Sequence, residues 1–214
     1  MNSTLKNILG ELPLTVELDW ALRSKNQTRR DHYNLNRLQK SLPSAVEVTK
    51  KHLQKKLALS LSKGDKAKKV LFFSTLHYWI EQSAYLGLVL AGLGHKVTLL
   101  TLPYSEWHKE KDKFTQRQRI LHTRDALSSL SPLIEHASLL DLKPASALPD
   151  ILLADIKEIS LWDAQYTLMR EEVNMQDSHD KALYDLRIKR NTFAAHTTLD
   201  WMQKNKPDVV LIPN

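Results

Sequence analysis

Three short apolar runs mark predicted strands in the last two thirds of the chain. They lie at 70–75, 96–102 and 208–213, and each is apolar at successive positions rather than at alternate ones. Such runs are typical of parallel strands that helices cover on both faces. A stretch with helical periodicity at 79–93 joins the first two runs, so the pattern predicts a βαβ unit. We therefore predict that the three runs are neighbouring strands of one parallel sheet in an α/β fold.

Between the second and the last of these strands, the pattern predicts three helices and one more strand. A charged helix is expected at 109–130, and the run ASLLDL at 137–142 is a candidate strand. Two longer helices are expected at 150–173 and 178–204. Each of these two has a side chain that can accept hydrogen bonds from first-turn N–H groups. These capping residues are Asp150 in the first helix, and Asp177 or Ser178 in the second.

The first third of the chain is predicted to be helical and basic. Ser44 and Glu47 have the spacing of a capping box, which predicts that a helix begins at Ser44. Apolar residues follow at helical spacing with lysines between them: Val46, Leu53, Leu57 and Leu61, and Lys50, Lys51, Lys55 and Lys56. A second helix is predicted at 14–22, followed by a turn or linker at 24–31. Residues 61–69 are expected to connect this region to the first strand.

Charge is unevenly distributed along the chain. Residues 1–69 hold 15 Lys and Arg against 6 Asp and Glu, a net charge of +9, whereas residues 70–214 hold 16 against 18, a net charge of −2. We expect the basic face to be the solvent side of a packed helix, with contact to an anionic membrane surface as the second choice. Nucleic acid is not expected, because no recognition motif accompanies the charge. The chain lacks a secretory signal and a membrane-spanning run, so a cytoplasmic location is predicted.

Several classes of chemistry are excluded by the residues that the chain lacks. With no Cys, thiolate catalysis, Cys-ligated zinc and iron–sulfur clusters are excluded. No Gly lies between Gly64 and Gly87, so the first βα turn cannot carry a glycine-rich loop for a dinucleotide or a phosphate. The His residues show no metal-ligand spacing, and the nucleophile motif G-x-S-x-G is missing from the sequence. No cofactor or metal site is therefore predicted.

The loops that follow the strands are the candidate ligand site, because parallel sheets bind ligands beyond the carboxyl ends of their strands. These loops are expected at 75–79, 103–108, 141–144 and 213–214. His77 is the candidate general base, and the aromatic residues beside it can stack on a sugar ring. The candidate substrate-binding residues are Trp79, Tyr104, Trp107 and Asn214. The alternatives are that His77 only caps the next helix or makes a local hydrogen bond, and that the second loop is an ordinary exposed loop with one packed Trp.

Polar residues on the last two predicted helices form a second candidate group. Asp163 and Tyr166 share a helix face, and so do Arg187 and Asn191, because each pair is three or four residues apart. These four residues and Glu171 are candidates for holding the substrate-binding residues in place without contacting the substrate themselves. The alternatives are a solvated, ion-paired face for the acidic residues and structural pairing between the helices for the arginine.

Four segments of the chain resemble the N-terminal half of large bacterial two-domain glycosyltransferases of the GT-B type, which are associated with capsular and surface polysaccharide synthesis. The segments are KKVLFFSTLHYWIEQSAYLGLVLAGLGHKVTLLTLPYSEW, DAQYTLMREEV, LYDLRIKRN and KPDVVLIPN. The resemblance implies a Rossmann-like domain at 68–214, preceded by the basic helical segment at 1–67. It also implies that this domain binds a carbohydrate or lipid-linked acceptor, with His77 at the place of an acceptor-side base. A nucleotide sugar would then be bound by a second, C-terminal domain.

The sequence stops directly after the last predicted strand, at the point where the loop that follows this strand would begin to line the ligand site. We therefore expect it to be the first part of a longer protein and to be inactive alone, with a donor-binding domain or a partner chain completing the fold. A non-catalytic module that docks on a membrane surface or a partner protein through the basic helical segment is the alternative function. A flavodoxin-like small-molecule-binding protein is less favoured, because no phosphate-binding turn is evident.

Overall fold

The structure is a computed structural model that describes residues 2–23, 34–59, 67–103, 109–145 and 147–212. Within these residues the chain forms seven α-helices and four β-strands. In chain order they are α1 (Ser3–Glu11), α2 (Thr15–Arg23), α3 (Asn36–Leu59), β1 (Lys69–Ser74), α4 (His77–Gly92), β2 (Lys96–Thr101), α5 (Lys113–Leu127), β3 (Ile134–Ser138), α6 (Asp150–Leu168), α7 (Ser178–Asn205) and β4 (Val209–Leu211). The protein is therefore an α/β protein with a helical N-terminal segment, which confirms the predicted fold class.

The four strands form one parallel sheet in the order β3-β2-β1-β4. In the registers of β1, Val70 lies opposite Val97 of β2 on one side and opposite Val209 of β4 on the other. In the next pair, Val97 of β2 lies opposite Ile134 of β3. This arrangement confirms the prediction that the three apolar runs are neighbouring strands of one parallel sheet, and it places the first of them between the other two.

Both faces of the central strands are buried. Phe72 of β1 and Leu99 of β2 belong to one apolar cluster that also contains Leu42 of α3 and residues of α4 and α5. Leu71 and Leu100 come at the alternate positions of the same strands, which face the other side of the sheet, and both are fully buried. Burial on both faces explains why these strands are apolar at successive positions.

Helices α1 and α2 dock on α5 through polar contacts. The Arg117 guanidinium of α5 donates to both carboxylate oxygens of Glu17 at 2.5 Å, to the carbonyl of Gly10 at 2.8 Å and to that of Leu12 at 2.7 Å. The backbones come so close at Gly10 that a Cβ there would lie 2.5 Å from the carbonyl carbon of Lys113. Only glycine fits this position without moving α1.

The chain divides into two compact units. The first comprises residues 1–105, 111–141 and 206–214, so that helices α1 to α5 and all four strands belong to it. The second comprises residues 106–110 and 142–205, and within its described residues α6 and α7 pack against each other. The N-terminal helices are thus part of the same unit as the sheet.

The start of α3 differs from the prediction. This helix begins at Asn36, so Ser44 and Glu47 lie inside it and do not form a capping box at its first turn. The cause is tertiary packing, because Leu35 and Leu38 are at most 1% exposed and extend the apolar stripe of the helix upstream of Ser44. Burial of this longer stripe outweighs the local capping signal.

The third strand and the end of α6 also differ from the predictions. β3 is Ile134–Ser138 rather than 137–142, because these five residues pair with β2, and Leu139–Asp141 forms a 3-10 turn. α6 ends at Leu168 rather than at 173, because Met169 adopts a left-handed backbone conformation with φ 53°. This conformation ends the helical hydrogen bonding.

The two predicted caps have different outcomes. Asp150 does not cap α6, because Pro149 occupies the capping position. Asp177 does cap α7, since its carboxylate accepts from the N–H groups of His179 at 3.0 Å and Asp180 at 2.9 Å.

The basic face of α3 is open to solvent where the structure describes it. Lys51 and Lys55 are exposed, and Lys50 forms an ion pair with Glu47 at 2.8 Å. The side chain of Lys56 lies outside the described residues. The predicted turn at 24–31 and most of the predicted connection at 61–69 lie outside them as well.

Candidate functional site

The carboxyl end of β1 is fixed to the start of α4 by two buried serines. Ser74, the last residue of β1, has its Oγ 2.7 Å from the Oγ of Ser83 on α4. Both side chains are almost fully buried. Because α4 begins only three residues after β1 ends, this contact holds its first turn at the edge of the sheet.

Three aromatic side chains lie on that first turn. The rings of His77 and Tyr78 have centroids 5.3 Å apart at 83°, and those of Tyr78 and Trp79 are 5.2 Å apart at 70°. Such edge-to-face contacts hold rings in fixed orientations. Tyr78 is half exposed, whereas His77 and Trp79 are partly buried. We call these three residues the aromatic platform.

The structure corrects the predicted first exit loop. His77 is the first residue of α4 rather than a loop residue, so the loop after β1 contains only residues 75–76. His77 does not cap α4 either, because Leu76 occupies the capping position and supplies no side-chain acceptor to the first-turn N–H groups. The positive end of α4 therefore lies beside the platform and favours electronegative ligand atoms there.

The other predicted substrate-binding residues cannot be placed around this platform. Tyr104, Trp107 and Asn214 lie outside the described residues. Among the residues that the structure describes, β2 ends at Thr101, which is fully buried. The Oγ1 of Thr101 lies 3.0 Å from Nε2 of His136 on β3.

His136 and an open cleft beside it were missed by the sequence analysis. Burial, reinforced by the positive charge of Arg124, lowers the pKa of His136 to about 4, so its imidazole is neutral at pH 7. Both residues line a cleft of about 680 Å³ between the end of α5 and β3. Arg124 also donates to Asp141 at 3.1 Å. The signal that would have identified His136 is its register opposite Leu99, which required the correct strand boundary.

Within the second unit, three of the predicted supporting residues come together between α6 and α7. Asn191 donates to the Asp163 carboxylate at 3.0 Å and to Ser160 Oγ at 3.1 Å, and Arg187 donates to Thr167 Oγ1 at 2.6 Å. Burial lowers the pKa of Arg187, and the Asp163 charge opposes this shift. These contacts match the alternative of structural pairing between the helices.

The other two predicted supporting residues do not join this group. Tyr166 is exposed on α6, and Glu171 is exposed beyond the end of that helix. The Glu171 backbone carbonyl accepts from the side chain of Gln165, which is a local contact that closes the helix end.

One cluster has the composition of a metal site. Oxygen or nitrogen atoms of Asp177, His179 and Asp180 lie within 4.8 Å of one another. Asp177 is the cap of α7, and its hydrogen bonds from backbone N–H groups lower the pKa of its carboxyl. Asp180 accepts from Arg170 at 3.3 Å and from the N–H of Asn174 at 3.2 Å. Helix capping and ion pairing therefore account for the arrangement.

Comparisons with family models, curated proteins and solved structures gave no match to this chain. None of the described helices combines the length and the apolar character that crossing a bilayer requires. The geometry of the aromatic platform is therefore the main basis for a functional proposal.

Proposed function

We propose that this chain is the acceptor-side part of a nucleotide-sugar-dependent glycosyltransferase and that the aromatic platform binds the sugar acceptor. The observation that carries the proposal is the position of the platform. It lies directly after the central strand β1, beyond the carboxyl end, where parallel sheets bind ligands. Aromatic faces supply an apolar surface for a sugar ring, and the nearby helix N-terminus favours its oxygens.

In this proposal His77 is the general base. It begins α4, next to the half-exposed Tyr78, so a hydroxyl of a sugar stacked on the platform can come within reach of its imidazole. The nucleotide sugar is bound by another domain, and the present chain alone carries out no transfer. The resemblance of residues 68–102 and 205–214 to GT-B enzymes supports the same division of roles.

Isothermal titration of the purified chain with a panel of mono- and oligosaccharides tests acceptor binding. We expect at least one sugar to bind, and Tyr78→Ala to weaken that binding about 5-fold or more, which is the range of an aromatic contact. Val89→Ala is the matched control, because Val89 is an exposed apolar residue of the same helix, far from its first turn. Equal losses in the two variants, or no binding of any sugar, would contradict the proposal.

A second candidate function is docking on a membrane surface, and one observation favours it. Six aliphatic side chains of α1, α2 and the short connection between them are exposed: Leu5, Ile8, Leu12, Leu14, Leu18 and Leu22. We call them the aliphatic face. The acidic side chains Glu11, Glu17 and Asp19 bond instead to residues of α5, which leaves this face free of carboxylates. Aliphatic helix faces of this kind bind at the lipid interface.

Co-sedimentation with anionic vesicles tests this candidate. We expect Leu18→Glu to abolish vesicle binding, because a charge would enter the aliphatic face. Val48→Glu is the matched control, since Val48 is an exposed apolar residue of α3. If Lys51→Glu abolishes binding while Leu18→Glu does not, the basic face of α3 makes the contact instead. Absence of binding at low salt would exclude membrane docking.

A further inference from the structure

The N-terminal helices α1 and α2 take almost no part in the apolar interior. Among residues 2–22, only Gly10 and Val16 are buried, and neither belongs to the apolar cluster that contains Phe72 and Leu99. Each of the two helices has nine residues, which is too short for a helix to be stable in water by itself. Contacts with the rest of the unit must therefore hold them in helical form.

The contacts that hold these helices on α5 are polar, and Arg117 is at their centre. Its guanidinium donates to the carbonyls of Gly10 and Leu12 at the end of α1, and to the Glu17 carboxylate of α2. One side chain thus ties both helices to α5. Further polar pairs join the same three helices: Glu11 with Lys113, Asp19 with Gln118, and Trp20 with Asp125.

These polar contacts lie where water and salt can reach them. The side chains of Arg117 and Glu17 are 27% and 40% exposed, and those of Lys113 and Glu11 are 56% and 60% exposed. Dissolved ions screen such pairs. The strands β1 and β2, by contrast, pair with each other and are buried on both faces. A region with few buried apolar contacts opens at a lower free energy than such a core.

We propose that α1 and α2 form a strap that opens from α5 as one unit while the sheet stays folded, and that the contact between Arg117 and Glu17 is its latch. Opening separates Glu17 from Arg117 and Glu11 from Lys113, so salt or the loss of one of these charges favours the open form. Because the strap carries the aliphatic face, opening lets this face move independently of the sheet. This inference does not rest on the proposed function.

Native-state amide hydrogen exchange, measured by NMR on the full chain, tests the strap. We expect the hydrogen-bonded amides of α1 and α2 to have protection factors at least about 10-fold lower than those of β1 and β2. Raising the salt concentration from about 0.05 M to about 0.5 M should lower protection in the strap further, relative to the strands. The strand amides report in the same spectra that the sheet stays folded.

Two variants test the latch. Glu17→Gln removes the charge that faces Arg117, so we expect exchange about 10-fold faster in both α1 and α2, with no change in β1 and β2. Arg117→Lys keeps the charge but loses the guanidinium that bonds to both helices, so it should also speed exchange in both. Glu47→Gln is the matched control, because it removes the carboxylate of the exposed ion pair with Lys50 on α3. This control should leave exchange in α1 and α2 unchanged.

Three results would overturn the proposal. Strap amides as well protected as those of β1 and β2 would mean that α1 and α2 open only when the whole unit unfolds. Faster exchange in only one of the two helices in Arg117→Lys would mean that they do not open together. Equal effects of Glu17→Gln and Glu47→Gln on the strap, or protection that does not change with salt, would mean that the latch is not the contact between Glu17 and Arg117.

Discussion

Replacement of Gly10 by alanine tests the docking of the N-terminal helices, because packing and helix propensity predict effects of opposite sign. Gly10 is the last residue but one of α1, and alanine is favoured over glycine by at most about 1 kcal/mol in a free helix. In the structure, however, a Cβ at this position overlaps the backbone nitrogen of Phe114 and lies 2.5 Å from the carbonyl carbon of Lys113. Both atoms belong to backbone, which cannot turn aside as a side chain can.

The size of the effect follows from how far α1 must move. Ordinary contacts begin near 3.4 Å, so α1 has to withdraw from α5 by about 1 Å. That displacement lengthens the hydrogen bonds from Arg117 to the carbonyls of Gly10 and Leu12, and the bond from the Lys113 N–H to Asn7, now 2.7 to 2.9 Å long. Each such bond contributes about 1 kcal/mol net. Allowing for the gain in propensity, we expect a net loss of about 1 to 3 kcal/mol.

Equilibrium urea unfolding, followed by far-UV circular dichroism, measures this loss as a lower free energy of unfolding. Gly92→Ala is the control, because a Cβ there meets only the Thr49 methyl at 3.2 Å and His52 at 3.8 Å, both of them side-chain atoms. We expect this control to stay within about 0.5 kcal/mol of the wild type. If Gly10→Ala stabilises the chain instead, as propensity alone predicts, the close packing of α1 on α5 is refuted.

Three further predictions concern pH, capping and activity. Because the folded pKa of His136 lies near 4 and its unfolded pKa near 6.5, stability is complete above pH 6.5 and falls by up to about 3 kcal/mol as the pH drops to 4. Urea titrations at several pH values should show this loss in the wild type and not in His136→Gln. An equal dependence of the free energy of unfolding on pH in the two proteins would contradict this role of His136. In the same assay, Asp177→Ala should lower the free energy of unfolding by about 1 kcal/mol and Asp150→Ala by only about 0.3 kcal/mol, because only Asp177 caps a helix. A larger loss in Asp150→Ala than in Asp177→Ala would show that the caps are misassigned. Incubation with common nucleotide sugars should give neither hydrolysis nor transfer by the isolated chain, and robust turnover would overturn the proposed division of roles between domains.

The sheet could be predicted from sequence because its strands carry a strong local signal. Leu71 and Phe72 of the first run, and Leu99 and Leu100 of the second, are buried on opposite faces of the sheet, so each run has apolar residues at successive positions and stands out from the helices around it. Helix α1 gives no such signal, because it packs through Gly10 and polar contacts and leaves its aliphatic side chains exposed. A prediction that places apolar residues in the interior fails for a helix whose apolar side chains face solvent.

Only the part of the candidate site that follows from the order of residues along the chain could be predicted. The position of His77 after β1 follows from chain order, and the structure keeps it there. The folded chain shows in addition that His77 belongs to the first turn of α4 and that Ser74, at the end of β1, contacts Ser83 on that helix, nine positions away. The neutral state of His136 depends on strand register and burial, which only the folded chain defines.

Backbone amide chemical shifts, measured by NMR during a sugar titration, test whether the aromatic platform binds a sugar. We expect the largest shifts at residues 74–83, which include the end of β1 and the first turns of α4. We also expect Tyr78→Ala to remove these shifts. Saturable shifts confined to other residues, such as those lining the cleft beside His136 or those of α6 and α7, would contradict it.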